Sequence, residues 1–185
     1  MQSPGALNVT TPTEREIMLS RAFDAPREVV FDALTRPEQL KRWLFQPSGW
    51  NLKVCEIDLR VGGTYRFVWR SVDGETVELK GAYLEVVAPE RSVNTESYGQ
   101  PWYPGEAIVT TCLAEEEGRT VLTGTLLYES REARDTVLES GLEKGTVASY
   151  DRLARLLRSL TRSGPGRQWL RRTESALLSA FGRPA

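Results

Sequence analysis

Hydrophobic and polar residues alternate along much of this chain, and a period of two is typical of a half-buried β-strand. The first alternating run, 16–23, puts Ile17, Leu19 and Phe23 on one face. Six further runs follow, separated by turns rich in glycine, proline and acidic residues: 50–59, 64–71, 76–88, 91–98, 105–115 and 119–129. Strands at this spacing predict an antiparallel meander, which together with the first run gives an antiparallel sheet of six to seven strands as part of an α+β fold.

Two short helices are predicted between the first strand and the meander. Asp24, Ala25 and Pro26 form a typical helix start, because proline is tolerated in the first turn. The same signal returns at 35–38 and predicts a second helix over 38–44. The two helices therefore bracket the end of the first strand.

A long C-terminal helix is predicted over 130–160, where Ser130 supplies a cap and no proline follows. Its leucines recur at spacings of three and four, so one face is buried. The middle of that face is small, with Gly141 and Gly145 four residues apart. Glycine costs about 1 kcal/mol against alanine inside a helix, which indicates close approach by a strand or a ligand. Ordinary amphipathic packing is one alternative, and a short helix over 131–139 that ends at Gly141 is another.

The strand period also predicts where the aromatic side chains point. Tyr65, Phe67 and Trp69 share one face of their strand, and the residues between them take the other. We expect the aromatic face to look at the long helix. Because small residues occupy the middle of that helix, a gap remains between helix and sheet unless large side chains fill it. The aromatic residues are therefore interpreted either as ordinary core or as the lining of a ligand site.

The chain divides into three predicted parts. Residues 1–13 contain Pro4, Gly5 and Pro12 among serines and threonines, which is typical of a flexible leader. Residues 14–161 carry the α+β domain. Residues 162–185 contain a Ser-Gly-Pro-Gly linker at 163–166 and continue with mostly apolar residues four apart, which predicts a short amphipathic tail helix. We expect that helix to pack on its own domain or on a second subunit of a homodimer, and contact with a membrane surface is the alternative.

The charge of the chain argues against nucleic acid as a partner. The 24 Lys and Arg residues and 25 Asp and Glu residues leave a net charge of −1, so no overall field attracts polyanions. Long apolar runs are absent, which predicts no stable membrane insertion. The first residues lack the basic start and apolar core of a signal peptide, so we expect a cytoplasmic protein with Cys55 and Cys112 as reduced thiols.

Histidine is absent, which excludes Ser-His and Cys-His nucleophilic sites, imidazole bases and histidine metal ligands. No phosphate loop or dinucleotide fingerprint is present, so we predict neither a metal nor a cofactor. An enzyme built on this chain would need carboxylate, tyrosine or arginine side chains for acid–base chemistry. The candidates are Glu56, Asp58, Arg66, Tyr83 and Glu106, and all but Tyr83 are also candidate polar groups of the cavity. Structural carboxylate–arginine pairing is the alternative explanation.

Several segments resemble one known family: 21–31 (RAFDAPREVVF), 35–43 (TRPEQLKRW), 55–63 (CEIDLRVGG), 65–67 (YRF), 81–83 (GAY), 89–91 (PER) and 141–145 (GLEKG). Together they are similar to the heat-shock-ATPase-activator-like branch of the superfamily of START-related proteins, polyketide cyclases and the birch-pollen allergen (SRPBCC). The resemblance covers 14–160. It implies a helix-grip fold, in which a curved sheet wraps a long C-terminal helix around a hydrophobic cavity.

The resemblance implies that the cavity binds a small hydrophobic or amphipathic ligand, such as a lipid, a sterol or a polyketide. The residues expected to bind it are Trp43, Trp50, Tyr65, Phe67, Trp69, Tyr83, Leu142, Gly145 and Thr146. A minority of the superfamily are cyclases or other enzymes, and this branch is named for a chaperone activator. An enzyme of the cyclase or hydrolase type and a co-chaperone that activates a heat-shock ATPase are therefore the alternatives.

One position departs from the pattern of the family. Relatives usually follow the helical glycine with tryptophan, whereas this chain has Thr146. The smaller side chain implies a larger cavity, or a cavity that another aromatic residue fills.

Overall fold

The computed structural model describes residues 5–44 and 48–162. The strands of this part of the chain are β1 (Asn8–Thr10), β2 (Glu16–Phe23), β3 (Trp50–Ile57), β4 (Thr64–Ser71), β5 (Thr76–Val87), β6 (Arg91–Tyr98), β7 (Ala107–Glu116) and β8 (Arg119–Tyr128). Its helices are α1 (Arg27–Thr35), α2 (Pro37–Leu40), α3 (Arg131–Glu139) and α4 (Leu142–Arg162). The predicted linker and tail helix lie, apart from their first residue, outside the described residues.

The eight strands form one antiparallel sheet in the order β1-β2-β8-β7-β6-β5-β4-β3. The meander from β3 to β8 follows chain order, and β2 pairs with β8 along its whole length. Bulges between Leu52 and Val54 and between Tyr83 and Glu85 interrupt the pairing in β3 and β5. Bulges bend a sheet, and this one is curved and unclosed. The predicted α+β class and helix-grip architecture are confirmed, with one strand more than the pattern indicated.

The extra strand lies in the predicted leader. We expected structure to begin near residue 14, but β1 pairs antiparallel with β2, with Val9 opposite Leu19. Val9 also packs against the buried side chains beneath it. A three-residue strand is too short to show a period, which is why the prediction missed it.

The second predicted helix is shorter than 38–44. α2 ends at Leu40, and the next residues form a hydrogen-bonded turn in which the Leu44 N–H donates to the Leu40 carbonyl at 2.9 Å. That turn carries Trp43 back under α1. The indole N–H of Trp43 donates to the Ala33 carbonyl at 2.8 Å, so α1 fixes the orientation of the ring.

The predicted long helix is two helices, as in the alternative that ends the first one at Gly141. Gly141 has a φ of 86°, in the left-handed region that glycine enters without steric cost. The cap is also as predicted, since the Ser130 hydroxyl accepts a hydrogen bond from the Ala133 N–H at 3.1 Å. Because the helix is interrupted at Gly141, α4 crosses the inner face of the sheet independently of the direction of α3.

α4 is held on the sheet by apolar packing and by one ion pair. Leu153 and Leu157 are fully buried against the sheet and α1. Arg21 occupies an inward position on β2, and its guanidinium lies 2.8 Å from the Asp151 carboxylate of α4. A buried arginine with its carboxylate partner fixes the helix laterally, because leaving the arginine unpaired there would be costly.

The buried side chains form two clusters rather than one continuous core. The first cluster joins α1, α2 and the β3–β5 side of the sheet to α4, and includes Phe31 and Leu156. The second cluster joins β2, β8 and α3, and includes Ile17 and Val137. The space between the two clusters, under the start of α4, is where the candidate site lies.

Candidate functional site

A cavity of about 710 Å³ lies between the inner face of the sheet and α4. Both clusters contribute to its wall, with Leu113 and Leu122 from the first and Leu126 and Val137 from the second. Most of the remaining wall is aliphatic or aromatic as well. Small-molecule sites in proteins have volumes in this range and an apolar wall with a few placed polar groups.

All nine of the residues expected to bind a ligand line this cavity. They are Trp43, Trp50, Tyr65, Phe67, Trp69, Tyr83, Leu142, Gly145 and Thr146. The aromatic residues of β4 also pack on one another, with ring centroids 5.2 Å apart for Tyr65 and Phe67 and 6.2 Å apart for Phe67 and Trp69. The β4 rings therefore belong to the packed core and also form part of the cavity wall.

The part of α4 that roofs the cavity presents little polar surface. The Thr146 hydroxyl donates to the Leu142 carbonyl at 2.8 Å, and the Ser149 hydroxyl donates to the Gly145 carbonyl at 3.0 Å. Both hydroxyls thus donate their hydrogen atoms within the helix and offer a ligand no donor. Small side chains with satisfied hydroxyl groups give a roof that is low in volume and low in polarity.

On the sheet side of the cavity, Gly124 of β8 leaves space that no side chain occupies. Gly124 is buried between the inward-facing Leu122 and Leu126, and it lines the cavity. A Cβ built there would meet no heavy atom within 4 Å, so the space above this residue is open. Its φ is not in the left-handed region, so any residue is tolerated at this backbone position. Glycine here leaves volume to the cavity, and we did not single it out in the sequence.

One strand breaks the apolar character of the floor. The inward positions of β6 are Ser92, Asn94, Glu96 and Tyr98, all with polar atoms. Asn94 is used structurally, because its amide donates at 3.1 Å to the Tyr65 hydroxyl, which itself donates to the Thr95 carbonyl at 2.8 Å. Glu96 is different, since no described donor lies within hydrogen-bond distance of its carboxylate.

Glu96 is the single carboxylate among the described residues that line the cavity. Across the sheet it lies beside Ala107, which in turn lies beside Tyr128, so only a methyl group separates the acid from that ring. Burial raises the pKa of Glu96 to about 7. The pKa of the Tyr128 hydroxyl is raised by burial and further by the nearby Glu96 carboxylate. The sequence analysis missed Glu96, because Ser92, Asn94 and Glu96 are all polar and the alternation along β6 does not show that their face is the inner one.

The four polar groups that we expected in the cavity lie outside it, so that prediction was wrong. Glu56 and Arg66 are opposite one another on the outer face of β3 and β4, and Arg66 forms an ion pair at 2.6 Å with a carboxylate of β5. Asp58 is exposed and paired at 2.9 Å with a neighbouring arginine. Glu106 is exposed in the segment just before β7. The reason is the alternation itself, which gives the inner face of β4 to the aromatic residues and the outer face to the residues between them.

Two further observations concern the described residues as a whole. No three Cys, Asp or Glu side chains in 5–44 and 48–162 lie close enough together to hold a metal ion. None of the helices in those ranges has the length and apolar character needed to cross a bilayer.

A curved, unclosed antiparallel sheet with a long C-terminal helix is the architecture of the helix-grip class of the SRPBCC superfamily. The family model described as "Activator of Hsp90 ATPase homolog 1-like protein" matches residues 24–158. The chain therefore belongs to the Activator of Hsp90 ATPase homolog 1-like family. No curated protein matches the sequence.

Several solved structures are similar to this chain. A protein from Rhodobacter sphaeroides is 31% identical with a TM-score of 0.77, and the match covers 84% of this chain and 99% of that one. A protein from Nitrosomonas europaea is 26% identical with a TM-score of 0.71, covering 82% and 99% of the two chains. A protein from Chromobacterium violaceum is 31% identical with a TM-score of 0.67, covering 78% and 98%.

Proposed function

We propose that this protein binds a small hydrophobic or amphipathic molecule in the cavity between the sheet and α4. The observation that carries the proposal is a cavity of about 710 Å³ whose wall is mostly aliphatic and aromatic. Removing apolar ligand surface from water contributes roughly 25 cal/mol per Å², so such a wall favours lipid-, sterol- or polyketide-like molecules. The glycine at 124 and the threonine at 146 support the same proposal, because each leaves space in a wall that a larger residue would fill.

We propose binding rather than catalysis. The carboxylate and arginine candidates named from the sequence lie on the outer surface, which leaves Glu96 as the single carboxylate among the described residues of the cavity wall, without a second carboxylate there to work with it. Tyr83 lies in the cavity, but burial raises the pKa of its hydroxyl to about 12. The hydroxyl is therefore neutral at pH 7 and is a poor general base.

Activation of a heat-shock ATPase is the second candidate function, and the family match is the observation that favours it. Steady-state ATP hydrolysis by the matching ATPase, with and without this protein, tests it. A rate increase that persists in a variant with a filled cavity would support activation through the outer surface. The two functions are then separable in one preparation.

Native mass spectrometry and tryptophan fluorescence with a panel of fatty acids, sterols and aromatic polyketides test ligand binding. Trp43, Trp50 and Trp69 line the cavity, so an occupant changes the environment of three indole rings at once. We expect a one-to-one adduct and a saturable change in fluorescence for at least one member of the panel. No adduct and no fluorescence change with any member would count against the proposal.

A further inference from the structure

The cavity has one end with a distinct chemistry, formed by Glu96 and the rings of Tyr98, Trp102, Tyr103 and Tyr128, here called the acidic aromatic end. All five residues line the cavity. Tyr98 and Tyr128 each lie against Tyr103, with centroids 5.9 and 5.5 Å apart, and Trp102 lies 5.0 Å from Tyr103. These rings meet nearly edge to face, at interplanar angles of 78°, 83° and 88°. A carboxylate beside several electron-rich rings is an environment of negative potential.

Two polar groups of this end have no partner among the described residues. The Tyr103 hydroxyl is buried without a hydrogen bond. Glu96 has no hydrogen bond or ion pair to its carboxylate. Buried polar groups are normally satisfied, so the buried unpaired Tyr103 hydroxyl, next to the half-buried Glu96 carboxylate that faces the cavity, indicates that a ligand is the partner at this end.

Among the described residues of the cavity wall, no basic side chain pairs with the Glu96 carboxylate. Arg91 is the one basic residue among the described residues that line the cavity. It is five positions from Glu96 on the same strand, about 16 Å at the rise of an extended chain. Its guanidinium is already bonded to Glu85, at 3.0 Å. The negative charge at the acidic aromatic end is therefore not compensated from within the cavity wall.

From this geometry we infer that the acidic aromatic end receives an ammonium group, so that the ligand is an amphipathic amine with an apolar body. The ammonium pairs with the Glu96 carboxylate, approaches the surrounding rings and donates a hydrogen bond to the Tyr103 hydroxyl. The apolar body lies along the wall towards Trp43 and Trp69. This inference rests on the proposed binding function and adds the chemical class of the ligand.

The inference has a defined dependence on pH. The titratable groups that face Glu96 are the hydroxyls of Tyr65, Tyr98, Tyr103 and Tyr128, whose pKa values burial raises far above neutrality. A primary alkylamine titrates near the pKa of lysine, about 10.4, and stays protonated below that value. Glu96 is thus the group that changes charge around neutrality, with a pKa of about 7. Preference for an amine should rise with pH through that value.

Competition against the neutral fluorescent dye Nile red tests the inference on the full chain. Dodecylamine, dodecan-1-ol and dodecanoate share one apolar chain and differ in the head group. At about pH 8, above the pKa of Glu96, we expect the amine to compete at least about tenfold more strongly than the alcohol, and dodecanoate to compete worst. At about pH 5 the advantage of the amine should largely disappear.

Two variants test whether Glu96 and Tyr103 cause the preference for the amine. Glu96→Gln should abolish the preference for the amine over dodecan-1-ol, and a far-UV circular dichroism spectrum and urea denaturation curve like those of the parent chain show that the variant is folded. Tyr103→Phe should reduce the preference a few-fold. Glu106→Gln is the matched control, because it neutralises an exposed carboxylate outside the cavity and should change nothing.

The competition experiment distinguishes failure of the ammonium inference from failure of the proposed binding function. Nile red binding with equal competition by amine and alcohol, or with dodecanoate strongest, would overturn the ammonium inference and leave the proposed binding function standing. A preference for the amine that survives in Glu96→Gln would overturn the role of Glu96. Absence of Nile red binding and of any effect of the three probes on tryptophan fluorescence would overturn both the inference and the proposed function.

Discussion

Filling the vacancy at Gly124 should separate ligand binding from stability. In Gly124→Leu, four carbon atoms enter space in which a Cβ meets no heavy atom within 4 Å. At about 0.8 kcal/mol per buried methylene, the added side chain contributes up to roughly 3 kcal/mol. Ordering a leucine costs about 0.5–1 kcal/mol, and replacing glycine inside a strand returns a similar amount. We therefore expect an unchanged or higher free energy of unfolding, by up to about 2–3 kcal/mol.

The same substitution should weaken ligand binding, because the leucine occupies the volume that the ligand needs. We expect at least a tenfold loss of Nile red affinity, measured by fluorescence titration alongside urea denaturation of the same preparation. Thr125→Leu is the matched control, since the next position on β8 points to the other face of the sheet and should leave the affinity unchanged. The reasoning is refuted if Gly124→Leu destabilises the protein by more than about 2 kcal/mol, or if it binds Nile red like the parent chain.

Three other predictions follow from the same contacts. Thr146→Trp should lower Nile red affinity and raise the melting temperature, because the indole fills part of the cavity under α4. A lower melting temperature with full affinity would contradict this. Glu96→Gln should remove a pH dependence of stability. The folded-state pKa of about 7 lies above the ordinary value of 4.5, so the parent chain should lose up to about 3 kcal/mol as pH rises from 4.5 to 7, and the variant should not. Chemical denaturation at several pH values measures both, and equal slopes in the two proteins would count against the assignment. Cys112 should react with iodoacetamide well before Cys55, which is buried and has a raised pKa mainly because of that burial; peptide mapping that finds Cys55 labelled first would show that its pocket opens.

The secondary structure was largely predictable because its local signals agree with the tertiary structure. The bounds of β4 and β6 follow from a period of two between clear turns. The break at Gly141 was only the alternative to one long helix, because a glycine inside a helical pattern is also compatible with close approach by a neighbouring group. β1 was not predictable in the same way, since three residues carry no period and their place is decided by the edge of β2.

The candidate site was predictable only in its apolar part. Large aromatic side chains on one face of β4 are expected to be buried, so the sequence placed Tyr65 and Trp69 on the inner face, where they lie. Carboxylates and arginines give no such indication, because type alone does not reveal which face of a strand is buried. Arg66 was assigned to the cavity against its own alternation, and Glu96 was missed because a lone acid on an inner face is visible only once the face of β6 is known.

The outward and inward faces of the sheet also suggest how the cavity keeps its volume. Each wall is fixed from behind by contacts that do not use the ligand, such as the Trp43 bond to α1 and the Arg21 ion pair to α4. A wall held in this way does not need to collapse when the cavity lacks an occupant. Preorganisation of this kind lowers the cost of binding.

Titration of the ¹⁵N-labelled protein with dodecan-1-ol, followed by ¹H–¹⁵N spectra, tests the central claim most directly. The alcohol is neutral, so the result does not depend on the ammonium inference. If the cavity binds small amphipathic molecules, the backbone amides of Gly124 and Gly145 and the indole N–H of Trp43 shift with saturation, while the exposed turn residues Asp73 and Glu117 do not. Unchanged signals at Gly124 and Gly145, or shifts confined to exposed turns, would contradict the account.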